Sequence, residues 1–219
     1  MKFEAILFDC DGVLVDSEPI TMRVLSAMLT ERGWDIGIDE CMRRFVGVTV
    51  RSHRALIEAR TGQPLTDEWM ERFYARRNAE LQAHLTPIEG ALEAAHAAHA
   101  VTGGRIACAS GADRHKVEMQ LARVGLSRLF GGAVFSGQEM AASKPAPDVY
   151  LAAAQHVGVP PARCLVVEDS AAGVQAGVAA GAVVWGYCPP GADGAPLLAA
   201  GATRLLTHMG QLSGLLADR

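Results

Sequence analysis

The chain has 219 residues, of which 50% are hydrophobic and 5% aromatic, and its formal net charge is −4. This length suits one large domain, or a domain that carries a modest insertion. A slightly acidic chain without a long basic run disfavours nucleic acid and anionic membranes as main partners. The five cysteines are widely spaced and form no C-x-x-C pair, which argues against a disulfide framework or zinc site and favours a reducing cytosol.

Short apolar segments separated by helix-length segments run through much of the chain. The strand-length segments are 5–8, 105–110, 164–167 and 182–187, with a weaker one at 132–136. The helix-length segments are 89–101, 113–124, 147–157 and 171–180. This alternation predicts an α/β fold with a doubly wound, mainly parallel sheet of Rossmann-like form.

Residues 17–87 break that alternation, because their patterns are helical and include no convincing strand. The amphipathic segments are 20–32, 39–45, 51–60 and 67–83. We therefore expect an α/β core domain from residues 1–16 and 88–219, with an inserted α-helical cap domain at 17–87. The first apolar segment is too short for a signal peptide, and no stretch approaches the roughly 20 apolar residues of a membrane span. The sequence thus predicts a soluble, cytoplasmic protein.

Two carboxylates stand where the first predicted strand ends, in the segment FDCDGVLVDS. Ligand sites of open α/β sheets lie at the carboxyl ends of strands. Asp9 is the candidate nucleophile, and Asp11 is the candidate general acid and base. Gly12 permits a tight turn whose amides approach a phosphate group. The structural alternative is a turn in which both carboxylates only accept backbone hydrogen bonds.

Two further segments supply candidate phosphate ligands. Ser110 and Gly111 end the segment RIACAS-G, where a hydroxyl and exposed amides could hold phosphoryl oxygens. Lys144, in SKPAPDVY, is flanked by prolines and could neutralise charge on Asp9 and the phosphoryl group. Taken singly, a Ser-Gly pair is also an ordinary turn, and a lysine before a helix is usually solvated.

Glu168 and Asp169 are adjacent acidic residues that follow the apolar segment CLVV. Their mutual repulsion would be relieved by a hard cation such as Mg²⁺. Asp9, the backbone carbonyl of Asp11, and Asp169 are the predicted protein ligands, with Glu168 acting on coordinated water. Asp169 as the N-cap of the next helix is an alternative that is compatible with this role.

The ordered set of these segments is identified with a known family. FDCDGVLVDS, CASGA, SKPAPDVY and VVEDSAAGVQAG resemble the four successive motifs of the haloacid dehalogenase-like hydrolase superfamily, over essentially the whole chain. The helical insert resembles its α-helical-cap phosphatase and phosphomutase branch, and AASKPAPDVYLAAAQHVGVPP is similar to β-phosphoglucomutase. Overall, the chain also resembles bacterial sugar-phosphate phosphatases, including those acting on 6-phosphogluconate.

The roles that the resemblance implies are the same as those inferred above from residue type and position. Asp9 is then the nucleophile and Asp11 the acid and base, Ser110 and Lys144 bind phosphate, and Asp9 with Asp169 binds Mg²⁺. Because a halide leaving group needs no proton, the acid at Asp11 favours phosphate-ester chemistry over dehalogenation.

The sequence leaves two alternatives within the superfamily, a phosphatase and a phosphomutase. The β-phosphoglucomutase pattern has a histidine where this chain has Thr21, and an arginine where it has Val50, with Arg51 one place along. These departures favour a phosphatase over a mutase. The segment 45–53 is the expected substrate-facing loop, through Gly47 and Arg51, although Arg51 could equally begin a helix with its side chain in solvent.

The expected reaction is Mg²⁺-dependent hydrolysis of a small phosphate monoester, a sugar or sugar-acid phosphate. The expected partner is therefore a small phosphorylated metabolite, with no nucleic acid or membrane, and the chain is expected to be a monomer or weak homodimer. A phospho-accepting regulatory protein is the alternative from another class. Such receiver domains are shorter and need neither a cap nor an acid beside the nucleophile.

Overall fold

The structure, a computed structural model, describes residues 3–46 and 49–217. The chain divides into two compact units, one formed by Met1–Val15 with Thr86–Arg219 and the other by Asp16–Leu85. In chain order the strands and helices are β1 (Ala5–Phe8), α1 (Glu18–Thr30), α2 (Ile38–Phe45), α3 (Arg54–Thr61), α4 (Asp67–His84), α5 (Ala91–Thr102), β2 (Ile106–Ser110), α6 (Arg114–Arg123), α7 (Ser127–Phe130), β3 (Val134–Ser136), α8 (Asp148–His156), β4 (Cys164–Glu168), α9 (Ala171–Ala179), β5 (Val183–Tyr187), α10 (Ala195–Ala199), β6 (Arg204–Leu206) and α11 (Gln211–Ala217). Short 3₁₀ helices occupy Val50–His53, Gly137–Glu139 and Pro161–Arg163.

The first unit is built on a six-stranded sheet with the strand order β3-β2-β1-β4-β5-β6. Every strand pair is parallel. The predicted doubly wound α/β fold is confirmed. Strand order reverses direction between β1 and β4, and ligand sites in such sheets lie at the carboxyl end of this switch point.

Alternation of side chains along the strands explains how both faces of the sheet are covered. Ala5 and Leu7 point into a core cluster that includes Tyr150 of α8 and Val174 of α9. Phe8 points to the opposite face, where its ring meets Phe130 of α7 edge-on at a centroid distance of 6.1 Å. Since β1 is buried on both faces, its apolar run is continuous rather than alternating.

The second unit contains only helices among its described elements. Its own hydrophobic core is rich in aromatic residues, with Trp69 stacked on Phe73 at a centroid distance of 5.9 Å. The side chain of Thr66 accepts a hydrogen bond from the Trp69 amide and so begins α4. This unit therefore has the core and the caps of an independently packed helical body.

Across the ranges that the structure describes, none of the helices has the length and apolar character that crossing a bilayer would require.

Candidate active site

The carboxylate of Asp9 lies at the carboxyl end of β1, beside β4, where the strand order changes direction. Its backbone amide donates to the Val167 carbonyl at 3.0 Å, which holds Asp9 next to the end of β4. Its side chain is largely buried, with 7% of the residue exposed. The Lys144 ammonium donates to Asp9 Oδ1 at 2.7 Å. A buried carboxylate is thus paired directly with an ammonium whose side chain is only 9% exposed.

Lys144 lies in the turn before α8 and donates to several acceptors. Its Nζ atom lies 2.7 Å from Glu168 Oε1, 2.9 Å from the Ala109 carbonyl oxygen and 3.1 Å from the Tyr150 hydroxyl oxygen. The ring of Tyr150 also lies beneath the ammonium, 4.8 Å from its nitrogen to the ring centroid. These contacts come from three different elements, so the position of the charge is fixed on several sides.

Glu168, the last residue of β4, is fully buried and saturated with hydrogen bonds. Besides Lys144, its Oε1 accepts from the Tyr150 hydroxyl at 3.0 Å. Its Oε2 accepts from the Asp169 amide, the Ser170 amide and the Ser170 hydroxyl at 2.9, 2.9 and 3.0 Å. A carboxylate offers about four lone-pair sites, so these five donors already occupy Glu168. The predicted action of Glu168 on coordinated water stays a prediction.

Burial and charge act in opposite directions on these groups. Burial raises the pKa of Asp9 from 3.8 to about 7, against the opposing attraction of Lys144. Burial also works against the charge of Lys144, but Asp9 and Glu168 outweigh it and raise the pKa of the ammonium well above its usual value. Glu168 has a lowered pKa, because Lys144 and the donors of Ser170 outweigh the burial of its carboxylate. A further cation near Asp9 would favour its ionised form.

The acidic residues meet the requirements of a hard-cation site. Carboxylate oxygens of Asp9, Glu168 and Asp169 lie within 4.8 Å of one another. Because five donors already occupy Glu168, the carboxylates of Asp9 and Asp169 are the predicted ligands. Gly12 contributes by lacking a side chain: its φ is 76°, and a Cβ there would collide with the Asp169 carboxylate. An all-oxygen, acidic donor set of this kind suits Mg²⁺. The residues present therefore fit the predicted cation, with the backbone carbonyl of Asp11 as a further predicted donor.

Asp11 has partners that the sequence analysis did not identify. Lys116 Nζ donates to Asp11 Oδ1 and Oδ2 at 2.8 and 2.9 Å, and Gln120 Nε2 donates to Oδ1 at 2.8 Å. Gln120 is fully buried, and Lys116 is 7% exposed. No sequence signal marks these two residues, because a lysine and a glutamine four apart on a helix usually face solvent.

The predicted phosphate-binding residues lie at the end of β2, the strand beside β1. Ser110 is buried, and its hydroxyl accepts a hydrogen bond from the Ala112 amide at 3.1 Å, which shapes the turn after the strand. Gly111 is exposed in this turn. Asp113 follows, and its side chain accepts from the Lys116 amide at 2.9 Å to begin α6. The turn therefore joins directly to the helix that contacts Asp11.

The predicted substrate residues belong to the helical unit. Arg51 lies in the 3₁₀ helix Val50–His53, where its Nη1 is 2.7 Å from Asp67 Oδ1 and its side chain is 45% exposed. The side chain is thus exposed, as the structural alternative expected, but it carries an ion pair. Gly47 lies outside the described residues.

Comparison with known proteins assigns the family. The model of the haloacid dehalogenase-like hydrolases matches residues 3–181. The chain belongs to the haloacid dehalogenase-like hydrolase family. The four segments identified in the sequence and the strands β1 to β4 fall within this matched region. Strands β5 and β6 follow it.

Two curated relatives and one solved structure are similar to this chain over most of its length. 6-Phosphogluconate phosphatase of Escherichia coli K12 is 31% identical over 85% of this chain and 83% of that protein. Protein SUPPRESSOR OF QUENCHING 1, chloroplastic, of Arabidopsis thaliana is 36% identical over 82% of this chain, but the match spans only 17% of that longer protein. The HAD family hydrolase of Deinococcus radiodurans R1, solved with bound phosphate and sodium, is 35% identical with a TM-score of 0.82, covering 99% of this chain and 96% of that chain.

Proposed function

We propose that this hydrolase cleaves small phosphate monoesters through an aspartyl-phosphate on Asp9 and depends on Mg²⁺. The observation that carries the proposal is the contact between Asp9 and Lys144 at the switch point of the sheet, beside the acidic oxygens of Glu168 and Asp169. A hydrolase family and a relative named as a phosphatase support the same reaction class. The protein is an enzyme of the phosphatase kind.

In the first step, the Asp9 carboxylate attacks the phosphorus atom of the ester. A bond forms between Asp9 oxygen and phosphorus while the bond from phosphorus to the leaving oxygen breaks. Asp11 gives its proton to that oxygen, so the alcohol leaves as a neutral molecule. The products of this step are the free alcohol, the phosphorylated Asp9 and the Asp11 carboxylate.

In the second step, water attacks the phosphorus of the aspartyl-phosphate. Asp11 takes a proton from the water, and the bond between phosphorus and the Asp9 oxygen breaks. Inorganic phosphate is released, and Asp9 returns to a carboxylate while Asp11 regains its proton. The two steps together consume one ester and one water and leave the enzyme unchanged.

Fixed positive charge supports both steps. Lys144 lies against Asp9, and in the proposal it also contacts a phosphoryl oxygen, with the hydroxyl of Ser110 and the amide of Gly111 holding others. When bound by Asp9, Asp169 and the Asp11 carbonyl, Mg²⁺ would neutralise negative charge on the phosphoryl group. Glu168 keeps Lys144 in place through their 2.7 Å ion pair.

For substrates, we propose sugar or sugar-acid phosphates, with selection by the helical unit Asp16–Leu85 acting as a cap. Arg51 is the candidate there, because its exposed guanidinium could exchange Asp67 for a distal anionic group of the substrate. Replacing Arg51 with glutamine should lower kcat/KM for a sugar-acid phosphate more than for p-nitrophenyl phosphate. A comparable Arg76→Gln variant, which breaks an exposed ion pair with Glu31 on the same unit, is the matched control.

The proposed function is tested by phosphate release from a panel of sugar phosphates, sugar-acid phosphates, glycolate phosphate and nucleotides. Purified protein is assayed with Mg²⁺, after EDTA, and after Mg²⁺ is restored. The proposal expects activity that EDTA removes and Mg²⁺ restores, and that Asp9→Asn abolishes. Full activity after exhaustive chelation, or in folded Asp9→Asn protein, would contradict it.

A further inference from the structure

The carboxylate of Asp11 is held by two side chains of α6. Lys116 contacts both of its oxygens, and Gln120 contacts Oδ1, with all three distances between 2.8 and 2.9 Å. Positions four apart lie on one face of a helix, so both donors approach Asp11 from the same side. The Gln120 carbonyl oxygen in turn accepts from the Cys10 thiol at 3.6 Å, which ties the amide to the segment before Asp11.

We propose that Lys116 and Gln120 are positioning residues that fix the Asp11 carboxylate for proton transfer; this rests on the proposed function. A general acid or base acts well only when it is oriented toward the reacting oxygen, and a small misplacement is costly. A side chain held by three charge-assisted hydrogen bonds has far less orientational freedom than one in a solvated turn. Lys116 and Gln120 act through Asp11 and need not contact substrate.

Lys116 and Gln120, which together form a clamp on Asp11, lie on the helix α6 that follows the predicted phosphate-binding turn. The helix begins at Arg114, directly after the Ser110–Ala112 turn, and Asp113 caps it by accepting from the Lys116 amide. Only Asp113 therefore separates the turn from the helix that carries Lys116 and Gln120. The orientation of Asp11 is set relative to the groups that are proposed to hold the phosphoryl oxygens.

A purely structural role makes a different prediction. A buried lysine needs a counter-charge, and Asp11 would then serve only to neutralise Lys116. Loss of Lys116 would in that case lower stability and reduce turnover of every ester equally. A positioning role predicts a loss that depends on the leaving group, because an alkoxide needs the proton of Asp11 and a nitrophenolate hardly needs it.

The experiment compares Lys116→Met, Gln120→Met, Asp11→Asn and Lys116→Met/Asp11→Asn on an alkyl phosphate and on p-nitrophenyl phosphate, with Mg²⁺. The comparison uses kcat/KM, because it covers the steps up to release of the alcohol and excludes hydrolysis of the aspartyl-phosphate, which is common to both esters. Lys116→Met should lower kcat/KM for the alkyl ester about 10- to 100-fold, part of the full general acid–base contribution. The loss on the aryl ester should be several times smaller, and Lys116→Arg should restore part of it. Gln120→Met should show the same pattern more weakly, and it tests the proposal if Lys116→Met does not fold.

The double variant provides the sharpest readout. If Lys116 acts only through Asp11, Lys116→Met should add less than about a threefold loss in the Asp11→Asn background. Glu118→Gln, which alters an exposed ion pair on the same helix, is the control and should leave both rates unchanged. Equal losses on both esters, additive losses in the double variant, or normal turnover by Lys116→Met would overturn the inference. An inactive wild-type protein would instead contradict the proposed function.

Discussion

Gly12 lies so close to Asp169 that a Cβ atom at position 12 would collide with the Asp169 carboxylate. The φ of Gly12 is 76°, in the left-handed region that residues with a side chain rarely adopt. Two separate physical reasons therefore require glycine here, one from the backbone and one from the site. They can be separated by experiment.

Gly12→Ala should lower both the free energy of unfolding and the affinity for Mg²⁺. The backbone contribution to instability is about 1–2 kcal/mol, and the displaced Asp169 accounts for the loss of metal binding. Gly125→Ala is the matched control, since Gly125 has a φ of 79° and no atom near its added Cβ. Urea unfolding should show a loss in both variants, and calorimetric Mg²⁺ titration should show one in Gly12→Ala alone. Equal Mg²⁺ affinity in the two variants would contradict the role of Gly12 in the site.

Lys144→Met should remove most activity and much stability. The variant leaves Asp9 and Glu168 buried without their cation, and breaking a buried ion pair in this way costs about 3–5 kcal/mol. Loss of an electrostatic stabiliser of the transition state lowers kcat by about 10²–10³-fold. Tyr150→Phe keeps the ammonium and removes only the hydroxyl, so its stability loss should be nearer 1 kcal/mol.

The instability of Lys144→Met should itself depend on pH. Without the ammonium, the pKa of Asp9, already raised by burial, rises further, and the pKa of Glu168 loses the main cause that lowers it and rises through burial. Such groups contribute stability at low pH, and that contribution is lost as pH rises through their folded-state values. The deficit in unfolding free energy relative to wild type should therefore be larger at pH 8 than at pH 5. A deficit that does not change with pH would show that the two carboxylates are not the cause.

The sequence predicts the bounds of some strands and helices better than those of others. The segments 5–8 and 105–110 match β1 and β2 within a residue, because strands buried on both faces read as continuous apolar runs. The edge strand β6, Arg204–Leu206, was missed, since it has three residues and only one is fully buried. The short helices α7, α10 and α11 were missed as well, because so few turns leave no clear periodicity.

The candidate site shows a similar division. The strand ends brought Asp9, Ser110 and Glu168 to one edge of the sheet, as parallel topology requires. The clamp of Lys116 and Gln120 on Asp11 could not be predicted, since it joins residues more than 100 positions apart and has no local pattern. Tyr150 ends the segment SKPAPDVY, in which Lys144 was a candidate. Only the packing of α8 shows that the Tyr150 hydroxyl contacts both Lys144 and Glu168.

Mg²⁺ affinity should rise with pH. In the metal-free protein burial raises the pKa of Asp9 to about 7, so a proton must leave this carboxyl when the cation binds. Between pH 6 and pH 8 the affinity should increase roughly tenfold and then level off. The stability of the metal-free fold should change with pH in the opposite direction to the Mg²⁺ affinity. Because the pKa of Asp9 is raised from 3.8, its contribution to the free energy of unfolding is full below that value and is lost as pH rises through about 7. An affinity that is constant over this range would exclude Asp9 as a ligand that must lose a proton.

Asp11→Asn should slow alkyl phosphates far more than p-nitrophenyl phosphate. The amide cannot give a proton to the leaving oxygen, and such help is worth about 10²–10⁴-fold for a poor leaving group. With the aryl ester, phosphorylation of Asp9 should stay fast while hydrolysis of the aspartyl-phosphate slows. Rapid-quench kinetics should then show a burst of nitrophenol. Equal losses on both esters without a burst would remove Asp11 from proton transfer.

The central claim is that Asp9 carries the phosphoryl group between the two steps. It is tested most directly by acid-quenching the enzyme with Mg²⁺ and an aryl phosphate, then mapping the modified peptide by mass spectrometry. Asp11→Asn is the protein of choice, because its slow second step lets the intermediate accumulate, and Asp9→Asn/Asp11→Asn is the control. The account predicts one acid-stable, hydroxylamine-labile phosphoryl group on Asp9, absent from the control. A phosphoryl group on another residue, or none during demonstrable turnover, would contradict it.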